Sequence, residues 1–147
     1  MPEDFDRWNE MKKRIEFEKK PPILFPKERE VWMCSLGRNI GFEQNGTGDG
    51  LGRPVLVVKK FNNKMFWVVP LSSRQKEFDF YYNFYDAAGM PASAILAQLR
   101  LLSVKRFDRN LYEVSMETLE DIQKKLVGFL QSKPRTRRGF SEPEGTL

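Results

Sequence analysis

The chain contains no histidine and a single cysteine, Cys34, among its 147 residues. The lack of histidine excludes a Ser-His-Asp triad, a histidine general base and histidine-containing metal sites. One thiol allows no disulfide within the chain, which is typical of proteins in a reducing cytosol. No apolar run approaches the ~20 residues of a membrane helix, and the mixed-charge amino terminus has no secretory signal. We therefore expect a cytoplasmic protein without metal or other cofactor.

Length and charge fit one domain with polar extensions and a polyanionic partner. Hydrophobic residues make up 40% of the chain and aromatic residues 13%, which is enough for a core. Residues 1–30 balance eight basic against eight acidic groups. Residues 31–132 carry thirteen basic and ten acidic groups, and residues 133–147 carry four and two. The net charge of +5 thus lies in the domain and its tail, where it favours polyanions.

The apolar pattern predicts a helix, then a series of strands, then a second helix. Residues 4–19 form the first helix, with Asp4 as its N-cap and Pro21 at its end. Strands are predicted over residues 30–36, 54–61, 65–71, 78–84 and 93–102, with a short sixth over 111–114. Ser115 would cap the last helix, whose apolar stripe extends to Leu130. Short strands closed by one helix indicate a small barrel rather than a βαβ sheet.

Four segments combine polar side chains with predicted strand ends. Each has an ordinary explanation when taken alone: Arg53 as a surface charge, Ser72 and Ser73 as strand caps, Glu43 as a solvated charge, and Gln98 as a partner for a backbone group. The four glycines at alternate positions 46–52 lack the Lys-Ser/Thr of a phosphate loop and precede a strand instead of a helix. The segments are residues 41–44 (Gly-Phe-Glu-Gln), 52–54 (Gly-Arg-Pro), 69–73 (Val-Pro-Leu-Ser-Ser) and 93–100 (Ser-Ala-Ile-Leu-Ala-Gln-Leu-Arg).

Together and in this order, the four segments resemble the MazF/PemK toxins. That family carries Gly-x-Glu-Gln, then Arg-Pro entering a Val-rich strand, then a strand ending in Thr-Thr, then a strand ending in Gln-x-Arg or Gln-x-Lys. The resemblance covers roughly residues 28–131 and implies a mainly β fold, an SH3-like small β-barrel with a closing C-terminal helix. We expect a helical extension over 1–27, the barrel domain over 28–132, and a polar, disordered tail over 133–147.

The resemblance implies the toxin of a type II toxin-antitoxin system, a metal-independent endoribonuclease that cuts single-stranded RNA. Carried over from the family, Arg53 and Ser72 are the catalytic residues, and Glu43 matches an acidic residue linked to activity. RNA-binding roles fall to Gln44, Ser73, Gln98 and Arg100 by the same resemblance. Lys76 for phosphates and Phe42 for base stacking are further RNA-binding candidates, as are Phe61 and Tyr81. Solvated charge and core packing are the competing interpretations for these last four.

The chemistry of RNA cleavage suits these residue types. RNA supplies its own nucleophile, the 2′-hydroxyl, so an enzyme has to align it with phosphorus and neutralise developing charge. Arg53 suits charge neutralisation, since a guanidinium binds phosphate oxygens bidentately and is too weak an acid to serve as a general base. Ser72 would bind the phosphate or orient the 2′-hydroxyl, and Glu43 is the candidate base. The expected products are a 2′,3′-cyclic phosphate and a 5′-hydroxyl.

Three positions depart from the family pattern. Eight residues separate Gln44 from Arg53, which is about twice the usual number. Ser72 stands where the family usually has a threonine, and Ala97 stands where it often has an acidic residue.

The family resemblance further implies a homodimer, an antitoxin whose acidic segment blocks the RNA groove, and promoter DNA bound through that antitoxin. Two alternatives stay open: a non-catalytic toxin of the gyrase-poison type, and an inactive nucleic-acid-binding module.

Overall fold

A computed structural model describes residues 1–18 and 23–131. The predicted stop at Pro21 and the predicted tail over 133–147 lie outside these residues. None of the helices described is long and apolar enough to cross a membrane. In chain order the elements are α1 (Pro2–Lys13), a π-helical turn (Arg14–Glu18), β1 (Glu30–Ser35), β2 (Gly52–Lys60), β3 (Met65–Ser72), β4 (Tyr81–Tyr85), β5 (Pro91–Ile95), a 3₁₀ turn (Leu96–Gln98), β6 (Arg100–Ser103), a 3₁₀ turn (Val104–Arg106), β7 (Phe107–Glu113) and α2 (Met116–Leu130).

The seven strands of the described ranges form an antiparallel sheet in the order β4-β5-β3-β2-β1-β7, with β6 also paired to β3. Strand β3 is the junction, because it pairs with β2, with β6 through residues 65–68, and with β5 through Leu71 and Ser72. Within the described residues, β4 and β7 do not pair, so the sheet is not closed by hydrogen bonds. The predicted class, a mainly β, small-barrel-like fold with flanking helices, is confirmed.

Strand β2 is buried on both of its faces. Val55 and Val57 point into one core cluster with Trp32 of β1, whereas Leu56 and Val58 point into a second cluster. Successive side chains of a strand alternate between faces, so a strand covered on both faces is apolar throughout. The unbroken Val-Leu-Val-Val run of the sequence has this cause.

Helix α2 covers the second cluster. Its predicted cap is confirmed, since the Ser115 side chain accepts a hydrogen bond from the Thr118 backbone N–H at 3.1 Å. Leu119 and Ile122 are buried against the sheet. The Gln123 side chain donates to the Val58 carbonyl at 2.9 Å, which fixes the helix to β2.

Helix α1 starts earlier than predicted. It begins at Pro2, and its N-cap is Met1, without a side-chain hydrogen bond, so the assignment of Asp4 as the cap was wrong. Proline suits the first turn because its missing N–H is one that no helical carbonyl would have accepted. The carboxy-terminal part of the predicted helix is a π-helical turn.

The apolar side of α1 packs on the start of the β1–β2 loop, residues 36–51. Trp8 is 5% exposed, and a Cβ placed on Gly37 would lie 2.0 Å from its Cε2 atom, so only glycine fits under the indole. The Arg106 guanidinium lies 5.7 Å from the centre of the Trp8 ring. An oxygen of Asp4 lies 3.9 Å from Nε of Arg38. The added helix therefore rests directly on this loop.

The predicted strand over 93–102 is two strands with a 3₁₀ turn between them, and the sixth predicted strand is longer than expected. Residues 91–95 pair with both β3 and β4, whereas residues 100–103 pair with β3 alone, so the chain changes course at Leu96. Apolar residues continue through the turn, which is why periodicity alone did not show the break. Likewise, the fourth strand begins at Tyr81 and not at residue 78.

Candidate functional site

Arg53 of β2 reaches the end of β3, where Ser72 lies. The β2–β3 register ends at Val55 opposite Pro70, and beyond it the Arg53 guanidinium donates to the carbonyl of Leu71, the residue before Ser72. Ser72 pairs with Ser93 of β5. The Arg53 guanidinium therefore contacts the strand end that carries Ser72, the second residue that the family resemblance makes catalytic.

The Arg53 guanidinium is held by three neutral oxygens. Its Nε donates to the Asn45 carbonyl at 2.8 Å, and Nη1 donates to the Leu71 carbonyl at 3.0 Å. When the Gln44 side-chain amide is oriented with its oxygen towards Arg53, that oxygen accepts a hydrogen bond from Nη2 at 2.9 Å. A guanidinium has five N–H donors, so two remain for a ligand.

The charge of Arg53 has no carboxylate partner within residues 1–18 and 23–131. Among the described residues, no carboxylate oxygen forms an ion pair with it. Burial lowers the pKa of Arg53, with a smaller opposing contribution from nearby Tyr81. A guanidinium nevertheless stays protonated at neutral pH. A half-buried cation held only by neutral dipoles is suited to binding an anion such as a phosphate.

Gln98 clamps the β1–β2 loop beside Arg53. Its side-chain oxygen accepts from the Gln44 backbone N–H at 3.1 Å, and its side-chain nitrogen donates to the Phe42 carbonyl at 2.8 Å. The 3₁₀ turn that interrupts the predicted strand carries this residue. Within the loop, the Asn39 side chain donates to the Gln44 carbonyl at 2.8 Å. These bonds hold Gln44 and Asn45, and through them Arg53.

Glu43 lies on the Arg100 side of the loop. One of its oxygens accepts from the Ile40 backbone N–H at 3.1 Å. Burial lowers the pKa of Arg100, and the neighbouring Glu43 charge opposes that shift. No hydrogen bond links the Glu43 carboxylate to Arg53 or Ser72 in the described ranges. Glu43 and Arg100 border a cleft of about 300 Å³, which is lined by Leu36, Asn39, Glu43, Gln44, Pro70, Ala97, Gln98, Leu99 and Arg100.

The loop after β3, residues 73–80, begins at the site and carries Ser73 and Lys76. The Ser72 hydroxyl accepts from the Arg74 backbone N–H at 3.1 Å, and this bond turns the chain at the strand end. Ser73 and Lys76 are exposed. Ser72 is half-buried, with its hydroxyl still available as a donor.

Phe42 and the rings near Lys76 have different surroundings. Phe42 is fully exposed at the tip of the β1–β2 loop, and Gln98 holds it through its carbonyl. By contrast, Phe78, Phe80 and Tyr81 form a cluster, and Lys76 Nζ lies 5.7 Å from the Tyr81 ring centre. The aromatic run predicted a strand over residues 78–84, so Phe78 and Phe80 were not among the predicted RNA-binding residues. The structure places both before the start of β4 at Tyr81.

Comparison with solved structures identifies MazF proteins of the same fold. MazF of Deinococcus radiodurans (crystal form I) is 22% identical with a TM-score of 0.62, over 73% of this chain and 97% of that one. A MazE–MazF crystal from the same organism (form II) gives 19% identity and a TM-score of 0.57, over 73% and 96%. An endoribonuclease from a mycobacterial species gives 16% and 0.54, over 75% and 95%.

The family itself is identified from the sequence. A comparison with curated protein sequences found no match. The family of PemK-like, MazF-like toxins of type II toxin-antitoxin systems matches residues 27–130, which hold Arg53, Ser72 and the loop between β1 and β2. Because this match spans well over half of the sequence, the chain belongs to the PemK-like, MazF-like toxins of type II toxin-antitoxin systems.

Proposed function

We propose that this toxin is a metal-independent endoribonuclease that cleaves single-stranded RNA at Arg53. The observation that carries the proposal is the state of the Arg53 guanidinium: half-buried, fixed by three neutral oxygens, without a carboxylate partner among the described residues, and with two further N–H donors at the strand end that carries Ser72. Such a group is preorganised for the charge that develops on a phosphate during displacement. The mycobacterial relative of the same fold is itself described as an endoribonuclease.

In the proposed reaction the 2′-oxygen bonds to phosphorus and the P–O5′ bond breaks. The proton of the 2′-hydroxyl goes to a base, the 5′-oxygen gains a proton, and the products are a 2′,3′-cyclic phosphate and a 5′-hydroxyl. Arg53 stabilises the non-bridging oxygens, and the Ser72 hydroxyl donates to the same phosphate. Glu43 is the proposed base. It directly precedes Gln44, whose side-chain amide contacts Arg53.

The cleft beside Arg53 is the proposed binding groove for RNA. Gln98 and Arg100 lie along it, so the chain of the nucleic acid would run from the half-buried Arg100 towards Arg53. Gln44 joins the two parts, since it borders the cleft and its amide contacts Arg53. Ser73 and Lys76 lie beyond Ser72, where they would contact the next phosphate.

An antitoxin is the proposed inhibitor, and its acidic segment would occupy the same cleft. The Deinococcus radiodurans matches include MazE–MazF crystals, in which a MazF protein of this fold is paired with MazE. A carboxylate would satisfy the free N–H groups of Arg53 as a phosphate does. Competition measures this directly: a cognate antitoxin peptide should displace a bound oligoribonucleotide, and simultaneous binding of both would refute the shared site.

A second copy of the chain is the proposed partner of an apolar surface on β2, β3, β6 and α2. Phe61 and Trp67 pack edge to face with centres 5.1 Å apart, and both remain partly exposed. Leu101, Val127 and Leu130 extend this exposed surface. A contiguous exposed patch of large apolar side chains marks an interaction site, and in a two-fold pair the same patch on the second copy would cover it.

The deciding experiment is cleavage of a long unstructured RNA in EDTA, with mapping of 5′ ends. We expect discrete cuts by the wild type and a loss of about 10²–10³-fold in rate for Arg53→Ala. Arg109→Ala is the matched control, because Arg109 is an exposed arginine on β7 that pairs with Asp108, and its removal changes net charge equally. Folded wild type that binds RNA without cutting it would support the inactive binding module. Folded wild type that neither binds nor cuts RNA would support the gyrase-poison alternative.

A further inference from the structure

The loop over residues 73–80 is fixed to the sheet by side chains of its neighbours. Ser93, which is fully buried, donates from its hydroxyl to the Arg74 carbonyl at 2.7 Å. The Asn83 side chain donates to the Lys76 carbonyl at 3.1 Å. The Gln75 side chain donates to two carbonyls of β4 and β5, at 2.9 and 3.3 Å. These four hydrogen bonds fix residues 74–76 to the sheet. The Phe78 and Phe80 carbonyls accept from the Tyr81 and Leu96 backbone N–H groups, so both ends of the loop are held.

The outer side of this loop carries three aromatic rings. Phe78 and Phe80 are stacked, with centres 5.2 Å apart and planes 6° from parallel. Tyr81 lies against both, at 6.1 Å from Phe78 and 5.4 Å from Phe80. Phe78 is 55% exposed, so the stack ends in an open ring face or edge that the described residues do not cover. An exposed ring on a rigid loop binds a flat partner with little loss of conformational freedom.

The aromatic rings are linked to Arg53 through the sheet. Lys76 Nζ lies 5.7 Å from the Tyr81 ring centre. Tyr82, the residue after Tyr81, pairs with Ala94 of β5, and Ala94 pairs with Leu71 of β3. The Leu71 carbonyl accepts a hydrogen bond from Arg53. Glu77 and Asp79 of the same loop repel phosphates, so the expected phosphate contacts are Lys76 and Arg53.

We propose that Phe78, Phe80 and Tyr81 form a stacking platform for an unpaired nucleobase next to the phosphate held by Arg53. The inference rests on the proposed function, because it assigns a base subsite to the same RNA substrate. Aromatic faces with adjacent cations are how proteins hold single-stranded bases, and stacking tolerates any base because each has a π-face. The platform selects unpaired RNA, since a base within a duplex has no free face.

The test measures binding of a 2′-O-methyl oligoribonucleotide, which lacks the attacking hydroxyl and so stays intact. The probe carries 2-aminopurine, whose fluorescence falls when the base stacks on an aromatic ring. We expect Phe78→Ala to raise the Kd roughly 5- to 100-fold and to abolish the quenching, and Phe78→Trp to restore both. Phe25→Ala is the matched control, because Phe25 is equally exposed, at 55%, and lies outside the loop. Unchanged affinity and quenching in Phe78→Ala would overturn the platform.

The outcomes separate the platform from the ribonuclease itself. If the wild type cuts RNA and Phe78→Ala leaves binding and quenching unchanged, the platform is wrong and the enzyme assignment stands. If Phe78→Ala and Phe25→Ala weaken binding equally, the effect is non-specific and the platform is wrong. If the wild type binds the probe with quenching that depends on Phe78 but cuts no RNA, the platform stands without the catalytic proposal. If the wild type cuts RNA but binds no probe, the platform is wrong and the enzyme assignment stands. If the wild type neither binds the probe nor cuts RNA, both proposals fail.

Discussion

The clamp formed by Gln98 makes a quantitative prediction for the β1–β2 loop. In Gln98→Leu the side chain keeps its approximate size but loses both amide groups, so the Gln44 N–H and the Phe42 carbonyl lose their partners. Each neutral hydrogen bond contributes about 0.5–1.5 kcal/mol. Because Phe42 is fully exposed, its carbonyl regains water in the variant, and the loss falls in the lower part of the combined range. We expect a loss of about 1–2 kcal/mol in the free energy of loop opening.

Amide hydrogen exchange at Gly46 is the sensitive assay, because its N–H donates to the Gly37 carbonyl at 2.8 Å and the variant keeps this loop bond. A loss of about 1–2 kcal/mol corresponds to exchange roughly 5- to 30-fold faster. The proposed RNA cleavage responds less, because a loop that rarely opens is still mostly closed after such a change. Gln123→Leu is the matched control, because Gln123 makes a similar amide-to-carbonyl bond on α2. Unchanged exchange at Gly46, or an equal rise in the control, would refute the role of the clamp.

Two further variants test the added helix and the apolar surface. Gly37→Ala should release α1, because the added Cβ would overlap Trp8, and fast tryptic cleavage within α1 would show the release. Gly48→Ala is the control, because Gly48 has a similar positive φ of 70° but no atom near its added Cβ. It should leave α1 resistant to trypsin, which separates the overlap from backbone strain. Trp67→Glu should convert the proposed dimer to a monomer in sedimentation velocity, because a charge would be buried in the interface. Phe17→Glu, at an exposed residue outside that surface, should leave the dimer intact. A wild type that is monomeric at working concentration would contradict the proposed assembly.

Sequence patterns were sufficient for the elements that depend on local chemistry. The strand predicted over residues 54–61 contains the continuous Val-Leu-Val-Val run, and β2 spans Gly52–Lys60. Ser115 before an apolar stripe indicated a helix start, and its hydroxyl forms the cap. The gap between the strands predicted over 54–61 and 65–71 falls on a turn, in which the Asn62 side-chain oxygen accepts from the Lys64 and Met65 backbone N–H groups.

Features that depend on distant pairing were beyond the sequence. The break between β5 and β6 arises because only residues 91–95 also pair with β4, which no local pattern encodes. The resemblance named Arg53, but its three oxygen partners come from two separate segments of the chain. The exposed ring of Phe78 was hidden in an aromatic run that resembles a buried strand. The variants above test Arg53 and Gln98, whereas the roles of Glu43, Ser72 and the other site residues remain predictions.

The contact between α1 and the β1–β2 loop has a practical consequence for spectroscopy. The Asp4 carboxylate of α1 contacts two arginines: Arg7 on the same helix, at 3.8 Å, and Arg38 at the start of the loop, at 3.9 Å. A fluorophore attached to an exposed side chain near Asp4 would therefore lie within one ionic contact of the loop whose residues 44 and 45 hold Arg53. A change in its signal would report movement of that loop without any label on the site itself.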